Sequence, residues 1–218
     1  MKISFLFTLF LLSASYNSFV SQSSLDWGGR TGIQAYAHKD IPISFNLSGF
    51  AELHGEKIGL RAILGTGLPS RSNTTYMGTA REGVIGPAEI EIQSSSGFVS
   101  FNTALDAKFY YRGAGYNDNI GGPYIVGGLG FTLLSIKSEY NYKGNDPEDY
   151  IVTNPLIDGN KKLVPTTAFR IFSGYDLNLD YFSLFGEVGL NLELSTRNLH
   201  DPKHGLTNAL ELTIGARF

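Results

Sequence analysis

Residues 207–218 read TNALELTIGARF, and this closing stretch decides the fold. Asn208, Leu210, Leu212, Ile214, Ala216 and Phe218 share one parity, and Thr207, Ala209, Glu211, Thr213, Gly215 and Arg217 share the other. Successive side chains of a strand point to opposite faces. The stretch therefore reads as a β-strand with one apolar face and one face of charge, hydroxyl and glycine. A half-buried strand of a soluble sheet alternates too, but its polar face meets water and is not glycine-rich. The motif is short, so its weight depends on whether other strands repeat it.

They do. Over 181–197, Phe182, Leu184, Val188, Leu190, Leu192 and Leu194 oppose Glu187, Asn191, Glu193 and Ser195. Over 166–177, Phe169, Ile171, Tyr175 and Leu177 oppose Arg170, Gly174 and Asp176. Residues 124–136 set Ile125, Leu129, Phe131 and Leu133 against Gly128, Gly130 and Thr132. The parity blurs over 134–136, where a β-bulge is expected. Residues 98–111 alternate most cleanly, with Val99, Phe101, Leu105, Ala107 and Phe109 against Ser100, Asn102, Asp106 and Lys108. Residues 43–53 and 57–65 repeat the pattern, the latter placing Arg61 on the polar face, and 28–37 is a weaker first strand. A ninth candidate, AEIEIQ at 88–93, lies inside the long turn-rich segment 66–97.

A length of 218 residues suits one domain. Past the N-terminus no apolar run approaches the ~18 residues of a spanning helix, which excludes a helical membrane bundle. A hydrophobic content of 42% does not exclude a barrel, in which only every second residue has to be apolar. Cysteine is absent, so disulfides and thiolate metal sites are ruled out. A net charge of −3 gives no reason to expect nucleic acid as a partner. Lys2, the apolar core ISFLFTLFLL at 3–12 and the small residues after it read as a secretory signal peptide over 1–23. The mature domain is then 24–218.

A single-chain bacterial barrel has an even number of strands with both chain ends on one side. Parity therefore assigns 88–93 to an external loop over 66–97, as a hairpin above the barrel, and leaves eight strands. The fold class is an all-β, closed antiparallel transmembrane β-barrel. Its long loops, 141–163 and 198–206, fall at one end, and its short turns, at 54–56, 113–121 and 178–180, at the other. A soluble lipocalin-like barrel has the opposite arrangement, an apolar cup inside a polar exterior. Here the apolar face is almost free of charge over strands long enough to cross a bilayer, while the polar face mixes charges with glycines suited to a crowded lumen.

PYIVGGLGF at 123–131 and the terminal LTIGARF carry a resemblance to the small bacterial outer-membrane barrels, the class of OmpX, the OmpA barrel and the OmpW-like porin-family proteins. The resemblance implies residence in the bacterial outer membrane and contact with its lipid, including lipopolysaccharide. It also implies that Leu210, Leu212, Ile214, Ala216 and Phe218 form the signal read by the barrel-assembly machinery. A monomer is expected, with loops 66–97 and 141–163 available to an external ligand or host factor.

The polar face of such a barrel lines its lumen. Arg61, Asp106, Lys108, Arg170, Glu187, Glu193 and Glu211 are the candidate charge network, with Glu52, Asp176, Lys57, Arg112 and Arg217 on the same face. A lumen of eight strands is just wide enough for side chains to fill, and an isolated buried charge costs several kcal/mol. The charges must pair, and the expected function is a non-enzymatic barrel with a charge-plugged lumen, acting in envelope integrity or surface interaction. A narrow gated channel for ions or small solutes is the alternative. The second alternative, an outer-membrane hydrolase of lipid A or peptide, rests on His200 and His204 in HDPKH. No nucleophile motif accompanies them, so no catalytic residue is assigned. Glu148 and Asp149 in NDPED read as a solvated acidic loop, and neither a metal nor a cofactor is expected.

Overall fold

The structure is a computed structural model that describes residues 24–55, 57–111, 121–153, 155–157, 159–179, 181–194 and 208–218. The expected signal segment and the HDPKH stretch lie outside the described residues. The strands are β1 (Ser24–Tyr36), β2 (Ser44–His54), β3 (Ile58–Ala80), β4 (Glu89–Tyr110), β5 (Gly122–Asn141), β6 (Tyr150–Val152), β7 (Lys161–Asn178), β8 (Ser183–Glu193) and β9 (Ala209–Arg217).

Eight of these strands close a ring. Each pairs antiparallel with two neighbours: β1 with β2, then β3, β4, β5, β7, β8 and β9 in turn, and β9 again with β1. Closure leaves the ring without an open edge. At the seam Ile33 sits opposite Leu212, and Trp27 and Phe218 exchange backbone bonds of 3.1 and 2.8 Å. The end of the barrel that holds Ser24 and Phe218 is termed the base, and the opposite end the rim. Two base connections are tight turns: Gly55 N–H donates to the Ile58 carbonyl, and Leu179 N–H to that of Phe182.

Alternation decides which side chains enter the ring. Leu47, Leu64, Leu105, Leu129, Ile171, Leu190, Leu212 and their same-parity neighbours are exposed on the outside. From the base up to Leu68, Val99 and Leu163, the outward positions of the described strands carry no charged residue. Arg61, Asp106, Lys108, Glu187 and Glu211, on the other parity, are buried inside.

Two sequence expectations need correction. Residues 66–97 do form the expected hairpin above the barrel, but they are paired strand rather than a turn-rich loop, because β3 and β4 run on and pair Gly67 with Ser100 and, at the tip, Thr79 with Glu89. Residues 88–93 are thus not a separate element but, from Glu89 on, the start of β4. The count of eight survives because that extension rises beyond the ring. Its register shifts between Gly67 and Ser70, and Pro69 sits in the shift, where a missing N–H breaks no ladder bond. The short β6 pairs with the upper part of β3 at Gly78–Val152.

The second correction concerns 134–136. No bulge occurs there, since Leu134 pairs with Ser100 and Ile136 with Phe98 in unbroken register. Leu134 and Ile136 point inward. With Ile41, Phe98, Leu156 and Ile157 they form an apolar cluster inside the rim, flanked by Tyr36, Tyr76 and Val164. The parity blurs because the lumen itself turns apolar at this height. The loop supplying Leu156 and Ile157 begins with a single 3-10 turn, Pro147–Asp149, whose N-terminus is capped by the Asp146 carboxylate accepting from Glu148 N–H at 3.0 Å.

Candidate functional site

Below the apolar cluster the lumen is filled by ten buried ionisable side chains. They are the cations Arg30, Arg61, Lys108, Arg170 and Arg217 and the carboxylates Glu52, Asp106, Asp176, Glu187 and Glu211. The numbers of the two signs match, which meets the requirement that buried charge be paired.

The charges fall into two tiers. In the upper tier Arg61 donates from Nη1 to Glu187 Oε1 at 2.7 Å, and from Nη2 to Glu187 Oε2 at 3.0 Å and Asp106 Oδ2 at 3.2 Å. This fork against one carboxylate is the geometry a planar guanidinium favours. Arg170 donates to Asp106 Oδ1 at 3.0 Å and to Asn191 Oδ1 at 3.1 Å, and Asn191 passes the link to Glu211 at 2.8 Å. Arg30 closes the tier against Glu187 at 3.3 Å and Glu211 at 3.4 Å. The carboxylates therefore bridge β1, β3, β4, β7, β8 and β9 across the bore.

The lower tier lies toward the base. Lys108 reaches Glu52 at 3.2 Å and Asp176 at 3.3 Å. Arg217 approaches Glu52 at 3.3 Å and Asp176 and Asp26 at 3.5 Å each. The Tyr110 hydroxyl lies 3.1 Å from Asp176 Oδ2 and 3.2 Å from Glu52 Oε1. His54 Nδ1 lies 2.9 Å from Arg217 Nη1 and 3.2 Å from both Glu52 Oε1 and the Tyr110 hydroxyl, so this ring joins the same tier.

Aromatic rings occupy the space between the charges. The Arg61 guanidinium lies 5.7 Å from the ring centres of both Phe50 and Phe185, and these two rings meet edge to face at 5.5 Å. The Lys108 ammonium sits 4.0 Å from the Tyr124 ring centre, and the Arg170 guanidinium 4.7 Å from that of Phe172. Such contacts hold a cation in place without adding a charge. Tyr124 also donates its hydroxyl to Glu187 at 2.8 Å. Glycine makes room for these groups. A Cβ on Gly128 would meet Asp106 Oδ1 at 2.3 Å, and one on Gly174 would meet the Tyr124 ring at 2.5 Å.

Between the charge tiers and the apolar cluster lies a polar cavity lined by Gln34, Asn46, Asn102, Thr132, Arg170 and Glu211, among others. It does not run on toward the base, because Arg61, Asp106 and Lys108 beneath it are fully buried.

Of the residues singled out from the sequence, Arg61, Asp106, Lys108, Arg170, Glu187 and Glu211 come together in this network. Glu193 is half-buried at the rim end of β8, where its backbone N–H donates to Asn208 Oδ1 at 2.6 Å. Lys57 is exposed in a base turn, and Arg112 lies outside the described residues. Leu210, Leu212, Ile214 and Phe218 are exposed on the outer face, with Ala216 half-buried. Sequence reasoning missed Arg30 and His54. Arg30 shares the parity of Gln34 in β1, and His54 that of Glu52, so carrying the alternation back from Gln34 and on to the end of β2 would have found them.

Ser183 Oγ gives its proton to Asn178 Oδ1 and accepts from Arg217, so that hydroxyl is engaged structurally. Among the described residues no group of His, Asp and Glu could hold a metal ion.

No protein-family model matches the sequence, and no curated protein matches it either. Similarity appears among solved structures. Neisserial surface protein A matches with a TM-score of 0.51 at 9% identity, over 90% of this chain and 98% of that one. The N-terminal β-barrel domain of Pseudomonas aeruginosa OprF gives a TM-score of 0.49 at 11% identity, over 90% and 98%. Ail, the attachment invasion locus protein of Yersinia pestis, solved with the heparin analogue sucrose octasulfate, gives 0.40 at 13%, over 90% and 97%. At these identities the likeness speaks to fold alone. With the ring of eight antiparallel pairings, the match to Neisserial surface protein A gives this chain the fold of the small outer-membrane β-barrels.

Proposed function

We propose that this chain is a non-enzymatic integral protein of the bacterial outer membrane, its lumen closed by paired charges and its rim turned outward. The observation that carries this reading is the buried bridge Glu187–Arg61–Asp106, which spans the bore with Arg61 and Asp106 fully buried and Glu187 2% exposed. An eight-stranded ring is filled by its own side chains, and here the filling is charge matched to charge. The charge-free outward faces of the strands supply the lipid contact, including that with lipopolysaccharide. The outward file Leu210, Leu212, Ile214, Ala216 and Phe218 serves as the sequence read by the barrel-assembly machinery. Envelope integrity and surface interaction are the roles left to a closed barrel, and the tall β3–β4 hairpin and the 142–160 connection are the surfaces it presents. The protein acts as a monomer.

Planar-bilayer conductance of the purified, refolded protein tests the closed lumen. No steady current steps are expected. Reproducible steps from the unaltered chain would replace this reading with that of a narrow channel. Membrane placement is tested apart from it. The protein should need detergent for extraction and should migrate differently on a gel when boiled and unboiled, and its recovery in the soluble fraction would remove the membrane reading.

A further inference from the structure

The apolar outer face ends abruptly on the tall side of the barrel, and it ends in cations. Arg71 on β3 is opposite Gly97 on β4, Gly97 is opposite Lys137 on β5, and Lys137 is opposite Lys161 on β7. Register alone therefore puts three exposed cations in one row across four adjacent strands, a span of about 14 Å at the usual strand spacing. Lys137 and Lys161 face each other directly, an arrangement that costs stability when nothing lies between the charges. Among the described residues neither Arg71 nor Lys161 has a salt bridge. Lys137 has one, to Glu139 at 2.8 Å, and it is exposed. Three positive charges against one negative leave the row in excess of cation.

What lies on either side of the row defines its partner. Toward the base, the outward positions next to it are Val99 on β4, Ser135 on β5 and Leu163 on β7, and Leu68 and Phe101 continue an exposed apolar strip. Toward the rim, a polar groove is lined by Asn73, Thr75, Gln93, Ser95 and Asn141, together with Glu139, the carboxylate already paired with Lys137. Grease, then cation, then amide and hydroxyl is the order of groups that complements acyl chain, phosphate and sugar.

We propose that this face of β3, β4, β5 and β7 seats the phosphorylated sugar headgroup of an outer-leaflet glycolipid, the lipid A class. The phosphates lie on Arg71, Lys137 and Lys161, the sugar in the groove above and the acyl chains on the apolar strip below. Guanidinium and ammonium groups are the usual donors to phosphate, and a glycolipid fits because the apolar strip and the cation row are continuous. A bound phosphate also relieves the facing of Lys137 and Lys161. The assignment rests on the outer-membrane placement proposed above.

The test uses the full refolded chain in detergent and a fluorescent lipid A, competed by unlabelled lipid A, by its dephosphorylated form and by a sulfated glycan. Binding to the variant Arg71→Gln, Lys137→Gln, Lys161→Gln is expected to fall roughly fivefold per cation and about a hundredfold in all. All three sites are exposed, so the variant should keep its boiled-against-unboiled gel shift. Lys143→Gln, farther toward the rim, should bind as the unaltered chain does. Dephosphorylated lipid A should compete poorly on the unaltered protein, a measurement that needs no variant. Equal binding by the unaltered chain and the triple variant overturns the site. A sulfated glycan displacing lipid A more strongly than unlabelled lipid A makes the row a glycan receptor and overturns the lipid assignment. Recovery of the protein in the soluble fraction would instead count against the membrane reading, and the two failures are read from different experiments.

Discussion

The base half of the lumen and the rim half are built on the same inward parity and filled by opposite chemistries. Toward the base, Arg61, Glu187, Asp106, Lys108 and Glu52 interlock by directional bonds, each carboxylate shared by more than one donor. At the rim, Phe98, Leu134, Ile136 and Ile157 simply pack. A barrel in lipid must be apolar outside, but that rule does not dictate what lies inside. The two fillings should fail differently. Removing one member of a buried ion-pair network leaves its partners charged and dry, whereas removing methyl groups from an apolar cluster leaves a cavity whose neighbours partly relax.

The largest effect is therefore expected at Glu187. Glu187→Ala removes the forked partner of Arg61, a partner of Arg30 and the acceptor for Tyr124. The cost should be ~3–5 kcal/mol in urea unfolding of the protein in lipid vesicles, the usual result of stranding a buried charge. Ile136→Ala, at a fully buried rim position, should cost ~2–4 kcal/mol, within the ordinary range for such truncations. It should also speed proteolysis in the 153–157 region while leaving the gel shift intact. If Ile136→Ala proved the costlier of the two, the rim cluster rather than the charge network would be the main support of the lumen.

The same contrast explains what could be read from the sequence. Where the inward face is polar, two-residue alternation assigns faces correctly, and it brings Arg61, Asp106, Arg170 and Glu187 together from four strands. Where the inward face turns apolar and the outward face polar, at Ser135 and Lys137, the alternation inverts, so Leu134 and Ile136 read as a bulge. Local propensity misled in the opposite sense over 66–80. TGLPSRSNTTYMGTA has the composition of turns, yet it is the rim half of β3, because pairing with the long β4 outweighs residue preference in a sheet. The partners of Arg30 could not be known without the closing register of β1 on β9, a contact between the two ends of the chain.

A finer cut within the charged half is available at Tyr124. Tyr124→Phe removes the hydroxyl that donates to Glu187 at 2.8 Å but keeps the ring against Lys108. Arg61 and Arg30 still hold the carboxylate, so the loss should be about 1.5 kcal/mol, the low end for a hydrogen bond to a charged group. A loss approaching that of Glu187→Ala would mean that the tyrosine, not the guanidinium, organises the upper tier.

The smallest effect is expected beyond the rim, where an ion pair stands in water rather than in the lumen. Lys143 donates to Glu91 at 2.7 Å, with both side chains largely exposed. Lys143 holds a left-handed backbone with φ of 53°, a conformation that side-chain-bearing residues seldom adopt, and its N–H is fixed by Asn141 Oδ1 at 2.9 Å. The hydrogen bond from Lys143, and then its charge, hold the Glu91 carboxyl below the usual glutamate range. A carboxyl lowered in the folded state stabilises above its unfolded pKa and loses that contribution as pH falls through its folded pKa. Acidification should therefore release the tether between β4 and the turn after β5, with little effect on the barrel, because exposed pairs contribute little. Carboxyl-detected NMR of Glu91 should show titration below the usual range, returning to it in Lys143→Ala, while the gel shift persists across the titration. Ordinary titration in the unaltered protein would show that the pair is not formed in solution. Loss of the gel shift along with protonation of Glu91 would erase the distinction between the exposed pair and the buried network, since both would then hold the barrel closed.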